Sequence, residues 1–188
     1  METDLKDILN AHFPGVIDHW EAYQGFFKKE KLAAKTLLLA EGDVAKRMYF
    51  VASGALRLFF NDLEKDVTVQ FFFENTFVCS MESFLENKPS RLNVETLEKG
   101  VYYSVSKEHY LILKETVPAF KTHFELFIQG RMFHYLNLLL DYIRQSPEQR
   151  YRMLVQEHPE ILQRVPHYYI ASYLGITPVS FSRIRARK

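Results

Sequence analysis

The sequence has a single cysteine and lacks long apolar runs, and each shortage excludes a class of protein. Cys79 stands alone in 188 residues, so an internal disulfide and a cysteine-ligated iron–sulfur centre are excluded. No run of 18 apolar residues occurs, and we therefore expect no membrane-spanning helix. The N-terminal METDLKDILNAHF is acidic and amphipathic, unlike a basic and apolar secretion signal. These absences predict a cytoplasmic protein.

The sequence also lacks the short motifs of common enzyme classes. The patterns HExxH, GxSxG and the P-loop are absent, and the histidines form no recognisable ligand cluster for a metal or haem. A nucleophilic cysteine needs a basic partner, and no such partner of Cys79 is recognisable. We interpret Cys79 as a small apolar residue and predict a protein that is not an enzyme, with no metal site.

The charges are distributed unevenly along a chain whose net charge is only +1. Residues 141–188 hold eight Lys/Arg and four Asp/Glu, a net charge of +4, whereas the remainder carries −3. A basic end on a mildly acidic body is typical of a segment that faces DNA.

Hydrophobic periodicity divides the chain into a helical start, a β-rich middle and a helical end. Apolar residues in 3–29 recur at helical spacing. From about Lys35, short β-rich runs separated by Gly, Asn and Asp predict an antiparallel barrel or jelly roll. From about His109 the helical period returns and continues towards Gln145. We predict an α+β fold, in which an antiparallel β-roll and a long helix precede a small all-α domain.

One seam of the long predicted helix advances by three or four residues, close to a heptad. This spacing suits packing on the β-domain, on a twin helix, or on both. Gly130 lies within the helix, where close packing is the expected reason for a glycine. Ser146-Pro147-Glu148 restarts a helix, so we predict domains at 1–145 and 146–188. The seam consists of Phe120, Phe124, Phe127, Arg131, Tyr135, Leu138 and Tyr142.

Residues 165–188 have the layout of two short helices joined by a tight corner. Ile170 and Leu174 share one face of the first helix, and Gly175 suits a left-handed turn. Thr177 can cap the second helix, which buries Phe181. This is the layout of a helix-turn-helix, whose second helix enters a DNA major groove. The alternative is a terminal helical hairpin that closes a core and leaves its charges in solvent.

The outward residues of this unit suit contacts with double-stranded DNA. Arg183 can bond a guanine edge, and Val179 can touch a thymine methyl group. The other polar and basic side chains suit phosphates. The predicted DNA-contacting set is Tyr168, Tyr169, Thr177, Val179, Ser180, Arg183, Arg185, Arg187 and Lys188.

Two groups of residues carry a resemblance to a known family. The first group is Glu41-Gly42-Asp43, Met48-Tyr49-Phe50-Val51, Ser53-Gly54 and Leu56-Arg57-Leu58. The second group is the terminal YYIASYLGITPVSFSRIRARK, and the long helix lies between the two groups. With its parts in this order, the chain resembles the Crp–Fnr family of bacterial transcription regulators over almost its whole length. The resemblance implies a homodimer joined through the long helix, from Phe120 to Tyr142, that binds double-stranded DNA, with RNA polymerase as a further partner.

The ligand pocket departs from the family pattern. Nucleotide-binding members carry a Gly-Glu pair and, about ten residues later, an arginine followed by Ser or Thr. Here Cys79 and Ser80 replace the pair and Ser90 replaces the arginine, while Arg91 comes one place later. One step along a strand turns a side chain to the opposite face. The resemblance therefore implies a small-molecule effector other than cyclic AMP, or none, with no cofactor assigned. Cys79, Ser80, Ser90, Arg91 and Tyr135 are the candidate pocket residues.

The C-terminal end departs as well. Family members usually continue into a β-hairpin wing, whereas this sequence ends at Lys188. Arg183 matches a base-reading position of the family, but Pro178 and Val179 replace a polar pair that some members use. A dimeric DNA-binding regulator, gated by an unidentified small ligand or partner other than cyclic AMP, is the leading hypothesis. The alternative is a ligand-sensing or protein-interaction module whose terminal hairpin does not read DNA.

Overall fold

The computed structural model describes residues 5–12, 18, 20–62 and 65–186. Two short helices, α1 (Leu5–His12) and α2 (Trp20–Tyr23), precede a 3-10 turn at Gln24–Phe26. A short helix, α3 (Met81–Glu86), lies between the last strands of the β-rich part. The strands are β1 (Phe27–Leu32), β2 (Leu37–Leu39), β3 (Arg47–Ser53), β4 (Leu56–Asp62), β5 (Lys65–Phe72), β6 (Phe77–Val78), β7 (Asn93–Thr96) and β8 (Gly100–Ser106).

The strands form two four-stranded sheets, with the orders β1-β8-β3-β6 and β2-β7-β4-β5. The pairs β1–β8, β3–β8, β3–β6 and β2–β7 are antiparallel. Six helices follow the sheets: α4 (Lys107–Thr116), α5 (Pro118–Arg144), α6 (Pro147–Glu157), α7 (Ile161–Arg164), α8 (His167–Tyr173) and α9 (Pro178–Ala186). The predicted α+β class, with antiparallel sheets followed by a long helix, is confirmed.

The helical prediction for 3–29 is wrong at its C-terminal end. Phe27 begins strand β1 and pairs with Val105 of β8. A segment this short has too few apolar residues for their period to distinguish a strand from a helix, and the pairing with β8 decides for the strand. Pro14 and Gly15, which together disfavour a continuous helix, lie outside the described residues.

Gly54 occupies a corner where a side chain does not fit. Its φ is +105°, and a Cβ at this position would lie 2.5 Å from the hydroxyl oxygen of Tyr102. That hydroxyl lies 3.2 Å from each of the carbonyl oxygens of Ala55 and Glu98. The glycine therefore lets the turn between β3 and β4 pack directly on Tyr102.

Local hydrogen bonds explain where two of the later helices begin. Ser106 caps α4, because its hydroxyl accepts a bond from the backbone N–H of His109 at 3.1 Å. Ser146 and Gln149 form a reciprocal capping box at the start of α6. The predicted helix restart at Ser146 is thus observed.

The described chain groups into two compact units. One contains residues 1–58 and 71–129, and the other contains residues 59–70 and 130–188. The core of the first unit includes Phe50, Phe84, Tyr110, Phe120 and Phe124. The second unit joins the β4–β5 turn to the C-terminal half of α5 and to α6–α9. The division into domains at 1–145 and 146–188 stays a prediction.

Candidate functional site

A cavity of about 470 Å³ opens on the first unit, beside the residues that precede α3. This volume is in the range of small-molecule sites. Its walls combine the apolar side chains of β2 with charged groups of the 43–47 segment. The lining residues are Leu37, Leu38, Leu39, Ala40, Asp43, Val44, Ala45, Lys46, Arg47, Tyr49, Cys79, Ser80 and Val94.

Ser80 and Ser90, two of the predicted pocket residues, are brought together with their hydroxyl oxygens 2.8 Å apart. Ser90 Oγ lies 2.6 Å from the carbonyl oxygen of Leu92 and accepts a bond from the Leu92 N–H at 3.0 Å. A carbonyl only accepts, so the Ser90 proton goes to Leu92 and the Ser80 hydroxyl donates to Ser90.

This arrangement leaves no donor for a phosphate at either serine. Ser90 has used its one proton and both of its lone pairs, and Ser80 retains only the capacity to accept. The two serines therefore form a self-satisfied, buried hydrogen-bond cluster.

Arg91 does not take over the role of the missing arginine. Its side chain is 83% exposed and lies 3.3 Å from Glu82, another exposed residue. An exposed ion pair of this kind adds little to stability. Because Arg91 follows Ser90 in the chain and points to solvent, it is not among the residues that line the cavity.

Cys79 is a buried residue of the cavity wall, and its sulfur lies 3.8 Å from the sulfur of Met81. Tyr135, the fifth predicted pocket residue, belongs to the second compact unit. Its hydroxyl there accepts a hydrogen bond from Arg131 at 2.8 Å. The structure thus brings Cys79, Ser80 and Ser90 together in the first unit.

Sequence reasoning missed the residues that fix the cavity wall. The Ser83 hydroxyl donates to the Lys88 carbonyl at 2.6 Å and accepts from the Ala45 N–H at 2.8 Å. Asn93 accepts from the Glu41 N–H at 2.9 Å. The sequence feature that could have indicated this wall is the Glu41-Gly42-Asp43 motif. Its backbone also binds Ser90, because the Gly42 N–H donates to the Ser90 carbonyl and the Asp43 carbonyl accepts from the Ser90 N–H.

The helices α8 and α9 are joined by a capped turn. Gly175 adopts a φ of +69°, and Thr177 accepts a hydrogen bond from the Ser180 N–H at 3.1 Å. Ile170 and Leu174 of the first helix segment and Phe181 of α9 are fully or almost fully buried. Thr177 therefore acts as the N-cap of α9.

The predicted DNA-contacting residues differ in exposure. Val179, Arg183 and Arg185 are exposed, and Ser180 is half-buried and receives the Thr177 hydroxyl proton at 3.0 Å. Tyr168 is 47% exposed, whereas Tyr169 is 6% exposed. We correct Tyr169 to a core residue, since its ring is buried, with its centre 4.0 Å from that of Tyr168. Arg187 and Lys188 lie outside the described residues.

Arg150, which sequence reasoning missed, ties the end of α5 to the α8–α9 turn. Its guanidinium donates to the carbonyl oxygens of Gln145 and Leu174, both at 2.7 Å. It also lies 4.1 Å from the centre of the Tyr142 ring. The hydroxyl of Tyr142 in turn fills the space beside Gly175, where a Cβ would clash. The bonds of Arg150 link the C-terminal ends of α5 and α8, which lie far apart in the sequence. A single polar residue leaves no periodic pattern, so the sequence does not predict this link.

The long helix α5 has two different apolar faces. Phe120 and Phe124 of the predicted seam are buried in the core of their own chain, and Phe127 packs against that core. Of the alternatives predicted for the seam, this part therefore follows packing within its own chain. A second stripe, each member of which is between 51% and 71% exposed, consists of Met132, Phe133, Leu136, Leu139 and Ile143.

Two structural absences hold for residues 5–12, 18, 20–62 and 65–186. Within these ranges no helix combines the length and apolar character needed to cross a bilayer. Over the same ranges, no three His, Cys, Asp or Glu side chains are grouped as ligands for a metal ion.

Comparison with known proteins finds a domain model that is similar to part of the chain. Residues 29–116 match the model of the cyclic nucleotide-binding domain. No curated protein matches the sequence.

Three solved structures resemble the fold. A putative Crp/Fnr-family regulator from Eubacterium rectale is 16% identical, with a TM-score of 0.74 over 93% of this chain and 85% of its own. FixK2 of Bradyrhizobium japonicum is 17% identical, with a TM-score of 0.73 over 86% and 83%. The regulator CLP of Xanthomonas campestris is 16% identical, with a TM-score of 0.70 over 92% and 90%. Residues 29–116 are therefore similar to the cyclic nucleotide-binding domain, and the chain has the fold of these solved regulators.

Proposed function

We propose that this protein is a dimeric, DNA-binding transcription regulator of the Crp–Fnr type, gated by a small ligand other than cyclic AMP. The observation that carries the proposal is the geometry of α9, which is anchored by Phe181 and exposes Val179 and Arg183. An anchored helix with an exposed arginine suits insertion into a major groove, where arginine bonds guanine in bidentate fashion.

The basic side chains around α9 support the same use. Arg183 and Arg185 are exposed, and Arg185 lies 3.1 Å from the ring nitrogens of His167 at the start of α8. Tyr168 is exposed on the same helix. Such groups suit phosphates on either side of a groove, and phosphate contacts fix the register of a protein on DNA.

The exposed stripe of α5 is the surface we assign to the homodimer. Met132, Leu136, Leu139 and Ile143 are separated by four, three and four residues, which is heptad spacing. A stripe of this length, left in water by one chain, is covered when the same stripe of a second copy packs against it. The dimer then places two α9 helices for two half-sites.

The cavity of the first unit is the effector site in this proposal, and the serine pair argues against a cyclic phosphate there. Another ligand chemistry is in keeping with the fold, since the regulator CLP is described as responsive to c-di-GMP. Arg150 is the residue through which movement of α5 would reach the α8–α9 turn, because its bonds connect both.

The test compares Arg183→Ala with Arg152→Ala in binding to a selected operator and to random DNA. Arg152 is an exposed arginine of α6, paired with Glu148 at 2.7 Å, and serves as the matched control. We expect Arg183→Ala to weaken operator binding by about 1–3 kcal/mol with little change on random DNA. Unchanged discrimination would remove Arg183 from base reading.

The salt dependence of binding separates the regulator from the alternative interaction module. A regulator that makes several phosphate contacts loses affinity steeply as salt rises. An absence of binding even at low salt would instead favour a module whose terminal helices contact protein.

A further inference from the structure

A polar cluster joins β5 to the long helix inside the second compact unit. Gln70, a buried residue near the end of β5, accepts a hydrogen bond from the Arg131 guanidinium through its Oε1. Its Nε2 lies 2.9 Å from Nε2 of His134, one turn further along α5. Arg131 also donates to the hydroxyl of Tyr135 at 2.8 Å.

The donor and acceptor roles in this cluster are fixed by the arginine. A guanidinium has donors only, so Oε1 of Gln70 is the atom that faces Arg131 and the amide nitrogen faces His134. The amide nitrogen also only donates, so Nε2 of His134 accepts and carries no proton. The cluster is satisfied by a neutral imidazole with its proton on Nδ1.

The same β-segment has a second attachment, on α8. The hydroxyl of Ser172 donates to the Asp66 carbonyl at 2.7 Å and accepts from the Thr68 N–H at 2.9 Å. In the described chain β5 is an edge strand, and Ser172 thus bonds a donor and an acceptor of its backbone. Residues 65–70 therefore connect α5, through His134 and Arg131, to α8, through Ser172.

We propose that His134 is a proton-controlled latch, which holds residues 65–70 against α5 when neutral and releases them when protonated. Protonation places an N–H of His134 against the N–H of Gln70, and a turn of the Gln70 amide would set two donors against each other at Arg131. Release at this end loosens the segment that supports α8. We call this interaction the His134 latch.

The charged groups around His134 come from α5 and from the end of α6. Arg131, on the same helix as His134, disfavours a second positive charge, and His158, the residue after α6, acts in the same direction. Glu157 of α6 acts in the opposite direction. The largest effect is burial, and the pKa of His134 is lowered from its ordinary value of 6.5. The latched state therefore binds the proton less tightly than the released state, so latching is complete above about pH 6.5 and weakens as the pH falls through the lower, latched pKa.

Nuclear magnetic resonance of ¹⁵N-labelled histidine in the full chain tests the latch without any DNA. We expect Nε2 of neutral His134 to give the signal of an unprotonated nitrogen, whereas imidazole in water prefers its proton on Nε2. We also expect a pKa below 6.5. A proton on Nε2 of neutral His134, or a pKa at or above 6.5, would overturn the proposal.

The variant Gln70→Glu makes the test independent of a general effect on stability. A carboxylate still accepts from Arg131, but it also accepts from protonated His134, so the pKa of His134 should rise above its wild-type value. Hydrogen exchange of amides 65–70, corrected for intrinsic rates, should then show greater protection in acid than at neutral pH. The wild type should show less protection in acid, by up to about tenfold for each unit by which latching lowers the pKa. An unchanged direction in Gln70→Glu would contradict the latch.

Two histidine variants complete the test. His134→Gln keeps an acceptor and cannot titrate, so protection of 65–70 should become independent of pH between about 5.5 and 7.5, which spans about one unit on either side of the ordinary histidine pKa. His158→Gln is the control, because it removes a nearby histidine that makes no bond to Gln70 and should leave the acid response. A full acid response in His134→Gln would show that another group is responsible.

The effect of the latch on DNA binding rests on the proposed function, and it is measured in a separate experiment. If the latch supports α8 for DNA binding, wild-type affinity for the operator should fall between about pH 7.5 and 5.5 more than that of His134→Gln. A latch seen by magnetic resonance in a chain that binds no DNA would overturn the proposed function and leave the latch standing. If operator affinity depends on pH equally in the wild type and in His134→Gln, the latch does not affect DNA binding.

Discussion

At the scale of single residues, polar side chains that hydrogen-bond to one another are not available to bind a ligand. Ser80 and Ser90 use their hydroxyl groups on each other and on the backbone of Leu92. Alignment of the sequence to the family pattern could predict that both serines stand at positions of the ligand pocket. Their mutual bond could not be predicted, because the sequence does not specify which donor meets which acceptor.

The serine pair leads to a prediction about ligand specificity. Ser90→Arg together with Ser80→Glu would restore the two charged groups that nucleotide-binding relatives use. Ser80 lines the cavity of about 470 Å³, and the hydroxyl oxygen of Ser90 lies 2.8 Å from that of Ser80. We expect the double variant to gain measurable cyclic AMP binding by calorimetry, while the wild type shows none. Cyclic AMP binding by the wild type would contradict our interpretation of the pair.

Gly54 gives a prediction about stability. Alanine at this position combines an unfavourable φ of +105° with a contact to Tyr102, and we expect a loss of about 1–3 kcal/mol in the free energy of unfolding. Gly25 is the matched control for denaturant unfolding, because a Cβ added there would meet nothing within 4 Å. Equal losses for Gly54→Ala and Gly25→Ala would show that the corner is not constrained.

Tyr110 gives a prediction about alkaline pH. Burial, with a smaller contribution from Cys79, raises the pKa of this phenol to about 12. The folded state holds the proton more tightly than the unfolded state, so stability is complete below about pH 10 and falls as the pH rises towards 12. In unfolding experiments, the stability of Tyr110→Phe should fall less steeply with rising pH than the stability of the wild type. Some loss of stability should remain in the variant, because the pKa values of Tyr49 and Tyr173 are also raised by burial.

At the scale of elements, the long helix α5 has one buried and one exposed apolar face. The near-heptad pattern could be predicted from the sequence, but its partner could not, since apolar spacing is the same for an internal and an intermolecular contact. The structure shows that Phe120 and Phe124 lie in the core, whereas the exposed stripe begins at Met132 and is the part that we assign to the dimer in our proposal. Within the described part of this chain nothing lies within 4 Å of a Cβ at Gly130, so packing inside the chain does not explain this glycine.

The stripe predicts how the oligomeric state responds to charge. Leu136→Lys would place a cation in the middle of the stripe, and we expect sedimentation to report a monomer at concentrations where the wild type is a dimer. Leu111→Lys, on an exposed position of α4 outside the stripe, should remain dimeric. A dimeric Leu136→Lys protein would show that α5 does not form the interface through this face.

At the scale of the whole molecule, the order of a β-roll, a long helix and two short terminal helices could be predicted because each part has its own hydrophobic period. The polar links Arg150–Leu174, Ser172–Thr68 and His134–Gln70 could not be predicted. They join residues 24, 104 and 64 positions apart, and single polar residues at such separations leave no pattern. These links, rather than the periodic core, are the features through which we expect a signal to pass.

The most direct measurement of the central proposal is selection of binding sites from random DNA by the full chain, followed by the same selection with Arg183→Ala. We predict enrichment of a two-fold symmetric site whose half-sites are about 10–10.5 base pairs apart, or a multiple of that spacing. Preference for guanine at one position of each half-site should be lost in the variant. Failure of the wild type to enrich any sequence, or enrichment of the same site by the variant, would contradict the proposal.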